Sequence, residues 1–234
     1  MMRGLGTTSA RRVLGRAGAG GTRAGFTLLE TMMALVIIGV GVLAFVEAQK
    51  SFIQANSWSS QAATGQLLAN EIRERMRRLP RHDPVLGLFL QAGANSSSST
   101  LVGWGRETQG QTVEDLNDVD DFDGLTFGVA GQYPGPINAF GELIPETNPD
   151  GTPVEDAEGN PVSMRGWTQT VRVDKVEPYN FSTVRDRAYV QAATSSVPGR
   201  GVDQFPLRVT VIVSFQGPLD VQPQEVTRLV WIQP

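Results

Sequence analysis

The chain has 234 residues, enough for one domain with a sizeable core. It has no cysteine, which excludes disulfides, zinc-thiolate sites and cysteine catalysis. The net charge of -4 is unevenly spread: residues 1–25 hold five arginines and no acid, and the remainder holds 15 basic and 24 acidic residues, which argues against general binding to a phosphate backbone.

The first element is the basic head, residues 1–25, carrying Arg3, Arg11, Arg12, Arg16 and Arg23. An apolar run follows from Phe26 to Val46, 21 residues with Glu30 as the only charge. As a helix it would be about 31 Å long, near the thickness of a bilayer's hydrocarbon layer. A basic head before an apolar run keeps its positive end in the cytoplasm. An ordinary cleaved signal peptide fits poorly, because the run is long, Glu47, Gln49 and Lys50 follow it, and the small residue Gly25 precedes it. Arg11-Arg12 leads into "GRAGAGG" instead of an apolar segment, which argues against a twin-arginine signal. Glu30 is the anomaly, since a charged carboxylate in hydrocarbon costs several kcal/mol unless an opposite charge offsets it.

Gly25-Phe26-Thr27-Leu28-Leu29-Glu30, behind basic residues and ahead of the apolar run, resembles the class III signal of type IV prepilins and pseudopilins. The resemblance covers residues 23–79, with one departure: Ala24 stands between Arg23 and Gly25, where the basic residue usually precedes the glycine directly. It implies that a prepilin peptidase cuts after Gly25, that Phe26 is N-methylated, and that the apolar helix is retained. It also implies that Glu30 meets the N-terminal amine of its own or a neighbouring subunit as the filament assembles, satisfied only in the right register. The implied partners are the peptidase, other pilins or pseudopilins, an assembly-platform membrane protein and membrane lipid; no nucleic acid is expected. The implied location is the bacterial inner membrane, crossed once, with the C-terminal part in the periplasm and then in a pilus or pseudopilus.

Helical periodicity continues past Lys50 through Phe52, Ala55, Ala62, Ala69, Ile72, Met76 and Leu79, with Leu68 beside that stripe, and Pro80 ends it. The spacing predicts one helix over 26–79, membrane-spanning in 26–46 and amphipathic beyond, roughly 80 Å long. "QLLANEIRERMRRL" is similar to the end of the first helix in PilV-type minor pilins. The arginines there, Arg73, Arg75, Arg77, Arg78 and Arg81, read as a solvated face paired with Glu71 and Glu74. Gly39 and Gly41 lie mid-helix, where each costs about 1 kcal/mol against alanine.

Residues 80–165 read as a loop-rich region, with "NSSSST" a low-complexity loop and "NPDGTPVEDAEGNPV" a loose repeat forming an exposed hairpin. Residues 166–234 read as an antiparallel sheet region. In 206–217, Leu207, Val209, Val211, Val213 and Phe215 share one face while Arg208, Thr210 and Ser214 share the other, and 225–232 supplies a second strand held by Leu229 and Trp231. The expected fold class is α+β and pilin-like: a long N-terminal helix packed on an antiparallel β-sheet with long loops.

The acidic run "EDLNDVDDFDG" (114–124) reads as a solvated turn, with Asp118, Asp120, Asp121 and Asp123 as calcium candidates because some pseudopilins use that ion in place of a disulfide. Phe122 interrupts the alternation of acids that an EF-hand loop requires. His82, the one histidine, reads as a surface residue in a proline-bounded turn, so no catalytic residue is expected and the chain is not expected to be an enzyme. The expected function is a PilV-like minor pilin acting in type IV pilus assembly or priming. The alternatives are a minor pseudopilin of a type II secretion system and a membrane-anchored periplasmic binding domain.

Overall fold

The computed structural model describes residues 25–93, 99–106, 112–128 and 130–234. Most of the basic head, expected from the sequence to be a cleaved leader, and most of the serine run lie outside the described residues. The chain forms two compact units, Met1–Ile53 and Gln54–Pro234, and one helix, α1 (Leu28–Met76), contributes to both.

In the first unit, α1 is proline-free and rich in Leu, Met, Val and Ile, and every described side chain is exposed. The helix is long and apolar enough to cross a membrane. Its far end belongs to the second unit. There Gly65, Leu68, Ala69, Ile72 and Met76 are buried at helical spacing. Phe52 and Ala55, counted on the same stripe by periodicity, are exposed. Periodicity marks an amphipathic face but does not say where along it a covering sheet begins. After Met76 the last turn tightens through Arg78 N–H to Arg75 O and Leu79 N–H to Met76 O, and Pro80 stops it.

The second unit packs this helix end on an antiparallel sheet. The strands are β1 (Phe89–Ala92), β2 (Ser99–Val102), β3 (Thr126–Gly128), β4 (Trp167–Glu177), β5 (Asn180–Val184), β6 (Leu207–Phe215) and β7 (Gln224–Gln233). β1 and β2 form a separate hairpin, and the main sheet runs β3-β4-β6-β7 with β5 also on β4. Val171 pairs with Val211, which pairs with Leu229, so the alternating apolar residues of three strands share the face that holds the core. Ile72, Met76, Val171, Val209, Val211 and Phe127 are wholly buried in it. Each such side chain contributes about 1.5–3 kcal/mol by burial. The register shifts at Val213/Ser214, and Val226 packs on the core beside the odd-numbered Leu229 and Trp231. A Cβ on Gly65 would lie 2.9 Å from Val226 Cγ1, so α1 and β7 approach closely because residue 65 has no side chain.

One buried amide ties helix, sheet and loop together. Gln169 on β4 donates to Leu68 O at 2.8 Å and to Ile137 O at 3.1 Å, and accepts the Ile137 N–H at 2.8 Å. The same loop accepts two further ties from α1. Glu71 accepts the Ala139 N–H at 2.7 Å, and Arg75 donates to Phe140 O at 3.3 Å. Arg75 and Glu71 therefore serve tertiary contacts instead of the solvated ion-paired face that their spacing suggests, while Arg77 and Glu74 do form the surface pair.

Residues 137–163 fold into three small turns, Asn138 to Gly141, Asn148 to Gly151 and Asp156 to Gly159, each ending on a glycine with positive φ (87°, 85° and 83°). Bridges Ile137↔Leu143, Thr147↔Pro153 and Glu155↔Pro161 close them. The bases are joined in a ring: Glu146 N–H to Val162 O, Val162 N–H to Val154 O, and Val154 N–H to Glu146 O, each 2.8 Å. The repeat seen in the sequence is thus two separate turns of a three-turn cluster, where a single hairpin was expected.

Candidate processing and assembly site

At the head of the first unit, Gly25, Phe26 and Thr27 lie outside the helix and exposed. α1 starts at Leu28. The Thr31 N–H donates to Thr27 O at 3.2 Å, and the Glu30 N–H donates to Thr27 Oγ1 at 3.3 Å, so Thr27 sits at the helix cap. Glu30 lies in the first turn, where the helix dipole favours a carboxylate. Gly25, Phe26 and Glu30 thus fall within six consecutive residues, the first two before the helix and Glu30 in its first turn, all exposed. A Cβ on Gly25 would meet nothing within 4 Å, and the same holds for Gly39 and Gly41. Among the described residues, no packing contact demands glycine at these three places. The Thr27-x-x-Glu30 spacing is a capping-box pattern, and it is the signal by which the cap could have been found in the sequence.

The acidic run lies in the second unit and is not a solvated turn. Asp118, Asp120 and Asp121 are buried, and Leu116, Val119, Phe122 and Leu125, spaced by three, are buried among them. That three-residue period matches the short 3-10 turn Asp120–Phe122. The carboxylates serve as internal ties. Asp120 accepts from His82 Nδ1 at 2.6 Å and from the Gly105 N–H at 3.2 Å. Asp121 accepts the Asn117 N–H at 2.9 Å and the Asp118 N–H at 3.3 Å, while Asp118 accepts the Asp121 N–H at 3.0 Å. Asp123 takes the Val173 N–H of β4 at 3.0 Å, the Trp104 indole at 3.3 Å and the Arg187 guanidinium. In a chain without disulfides, this segment pins the exit of α1, the loop at 104–105, β4 and the loop at 187 to one another.

Oxygens of Asp118, Asp120 and Asp121 lie within 4.8 Å of one another, and their hard donor chemistry suits a cation such as calcium. Asp123 stands outside that group. The contacts just described engage at least one oxygen of each of the three carboxylates.

His82 is not a surface residue: its side chain is 8% exposed. Burial, with help from the Arg81 cation, lowers its pKa to about 4, so the neutral ring donates Nδ1–H to Asp120. Lys175, also buried, donates from Nζ to Arg187 O at 2.7 Å and Tyr189 O at 3.0 Å, and burial lowers it to about 8. Its place in the alternating strand "VRVDKVE" puts it on the inward face, a signal that was available but easily read as a charged strand end.

Residues 21–46 match a protein-family model described as the prokaryotic N-terminal methylation motif. The matched span joins the end of the basic head to the apolar part of α1, and it supports a type IV pilin-like N terminus. Neither the comparison with curated proteins nor that with solved structures returned a match.

Proposed function

We propose that the chain is a structural subunit of a type IV pilus-type filament, and within that class a PilV-like minor pilin acting in filament assembly or priming. The observation that carries this reading is the methylation motif at the head of a helix whose apolar part is exposed at every described residue. A prepilin peptidase cuts after Gly25 and leaves an ammonium on Phe26, which is then methylated. Glu30, four residues on, offsets that charge or a neighbour's as the helices bundle, which lowers the cost of a buried carboxylate. The helix first anchors the subunit in the inner membrane by a single span, with Gln54–Pro234 on the periplasmic side. It then packs with other pilins, delivered by an assembly-platform membrane protein. PilV-type membership rests on the resemblance of residues 66–79.

The test is the mature N terminus, measured by mass spectrometry from hosts with and without a prepilin peptidase. A start at methylated Phe26, lost without the peptidase, is the expected result. A chain that begins at Met1 or Met2 in both hosts sinks the reading.

A further inference from the structure

The first ties of α1 both end on Thr27. Its carbonyl accepts the Thr31 N–H and its hydroxyl oxygen accepts the Glu30 N–H. A cap residue leaves the helical path, so the chain before it is released from the helix. Gly25 and Phe26 accordingly lie outside α1. A peptidase binds its substrate as extended chain, and a bond wound into a helix must unwind before it can be cut. In the sequence the next capping side chain upstream is Thr22. A helix started there would carry Gly25–Phe26 in its first turns, and Arg23 and Ala24 are good helix formers. The next hydroxyl downstream, on Thr31, would unwind the turn that holds Glu30. The free N–H groups at a helix start are also costlier in lipid than in water, which raises the importance of the hydroxyl that accepts one of them, the Glu30 N–H.

We propose that Thr27 is a positioning residue for processing: its hydroxyl fixes the start of α1 two residues past the Gly25–Phe26 bond and so presents that bond as extended chain. The proposal rests on the reading that this bond is the one cut. The experiment compares the full chain with Thr27→Val, which keeps the branched shape but has no acceptor, and with Thr27→Ser and Thr27→Asn, which keep one. Each is incubated in membranes with a prepilin peptidase, and the initial rate of appearance of the Phe26 N terminus is followed. The valine variant is expected to be cut about fivefold more slowly, with serine and asparagine near the wild-type rate. Amide hydrogen exchange at Glu30, measured without peptidase, is expected to quicken in the valine variant alone. Cutting of the valine variant at the wild-type rate, or of all three variants equally slowly, overturns the role of the cap while leaving the processing reading intact. A wild-type chain that is never cut overturns both.

Discussion

The exposed length of α1 and the domain at its far end use the same residue types for opposite reasons. At Gly65 a side chain would collide with Val226, whereas at Gly25, Gly39 and Gly41 it would meet nothing. Asp123 is held by a backbone N–H, an indole and a guanidinium, and Glu71 reaches a loop N–H. Glu30 stands on an exposed turn of an apolar helix. Among the described residues, those whose cost is not offset by a neighbour fall in the span that matches the methylation motif.

The sharpest way to break this comparison is to cut the same side chain in both regions. Ile72→Ala leaves a cavity where the residue is wholly buried and is expected to cost about 3 kcal/mol. Ile37→Ala, at a position 67% exposed, is expected to leave the unfolding midpoint of the detergent-solubilised full chain unchanged, with tryptophan fluorescence as the probe. Equal losses would mean that the two regions are not energetically separate.

The next largest effect is that of pH. In the folded chain His82 titrates near pH 4, and in the unfolded chain near its ordinary 6.5. The unfolded state therefore takes up the proton first, and stability falls as pH drops from 6.5 to 4, then levels off. Discounted for partial solvent access, the loss is about 2 kcal/mol. His82→Asn is expected to flatten that slope in denaturant titrations, and an unchanged slope would assign the acid sensitivity to the carboxylates alone.

A smaller contrast comes from the glycines. Gly65→Ala forces Val226 to move and is expected to cost about 1–2 kcal/mol. Gly39→Ala is expected to add about 1 kcal/mol of helix stability, read as slower amide exchange around it. The smallest is Arg77→Ala, which removes an exposed pair with Glu74 and is expected to change stability by less than about 0.5 kcal/mol.

What the sequence revealed follows from the range of the forces involved. The alternation from Leu207 to Phe215, the stop at Pro80 and the apolar run are local patterns, and the structure carries each of them. Arg75, Glu71 and Gln169 were illegible because their partners lie 32 to 101 residues away, and local periodicity holds no record of a loop folding back. The acidic run misled because charge usually marks solvent, and its buried apolar residues follow a three-residue period too short to count as a helix or strand. At the candidate processing site the motif residues were plain, but the cap was hidden inside the motif that names them.

The three-turn cluster has a practical consequence. Each turn is tied across its own neck before the chain moves on, by Ile137↔Leu143, Thr147↔Pro153 and Glu155↔Pro161. The tip at Asp150-Gly151 is exposed, and a side chain on Gly151 would meet nothing. Extra residues inserted there would lengthen a loop whose ends stay fastened, and loop lengthening costs little. That tip is a ready place to install a short peptide label, by which single copies of this chain could be counted and located without disturbing the parts that hold it together.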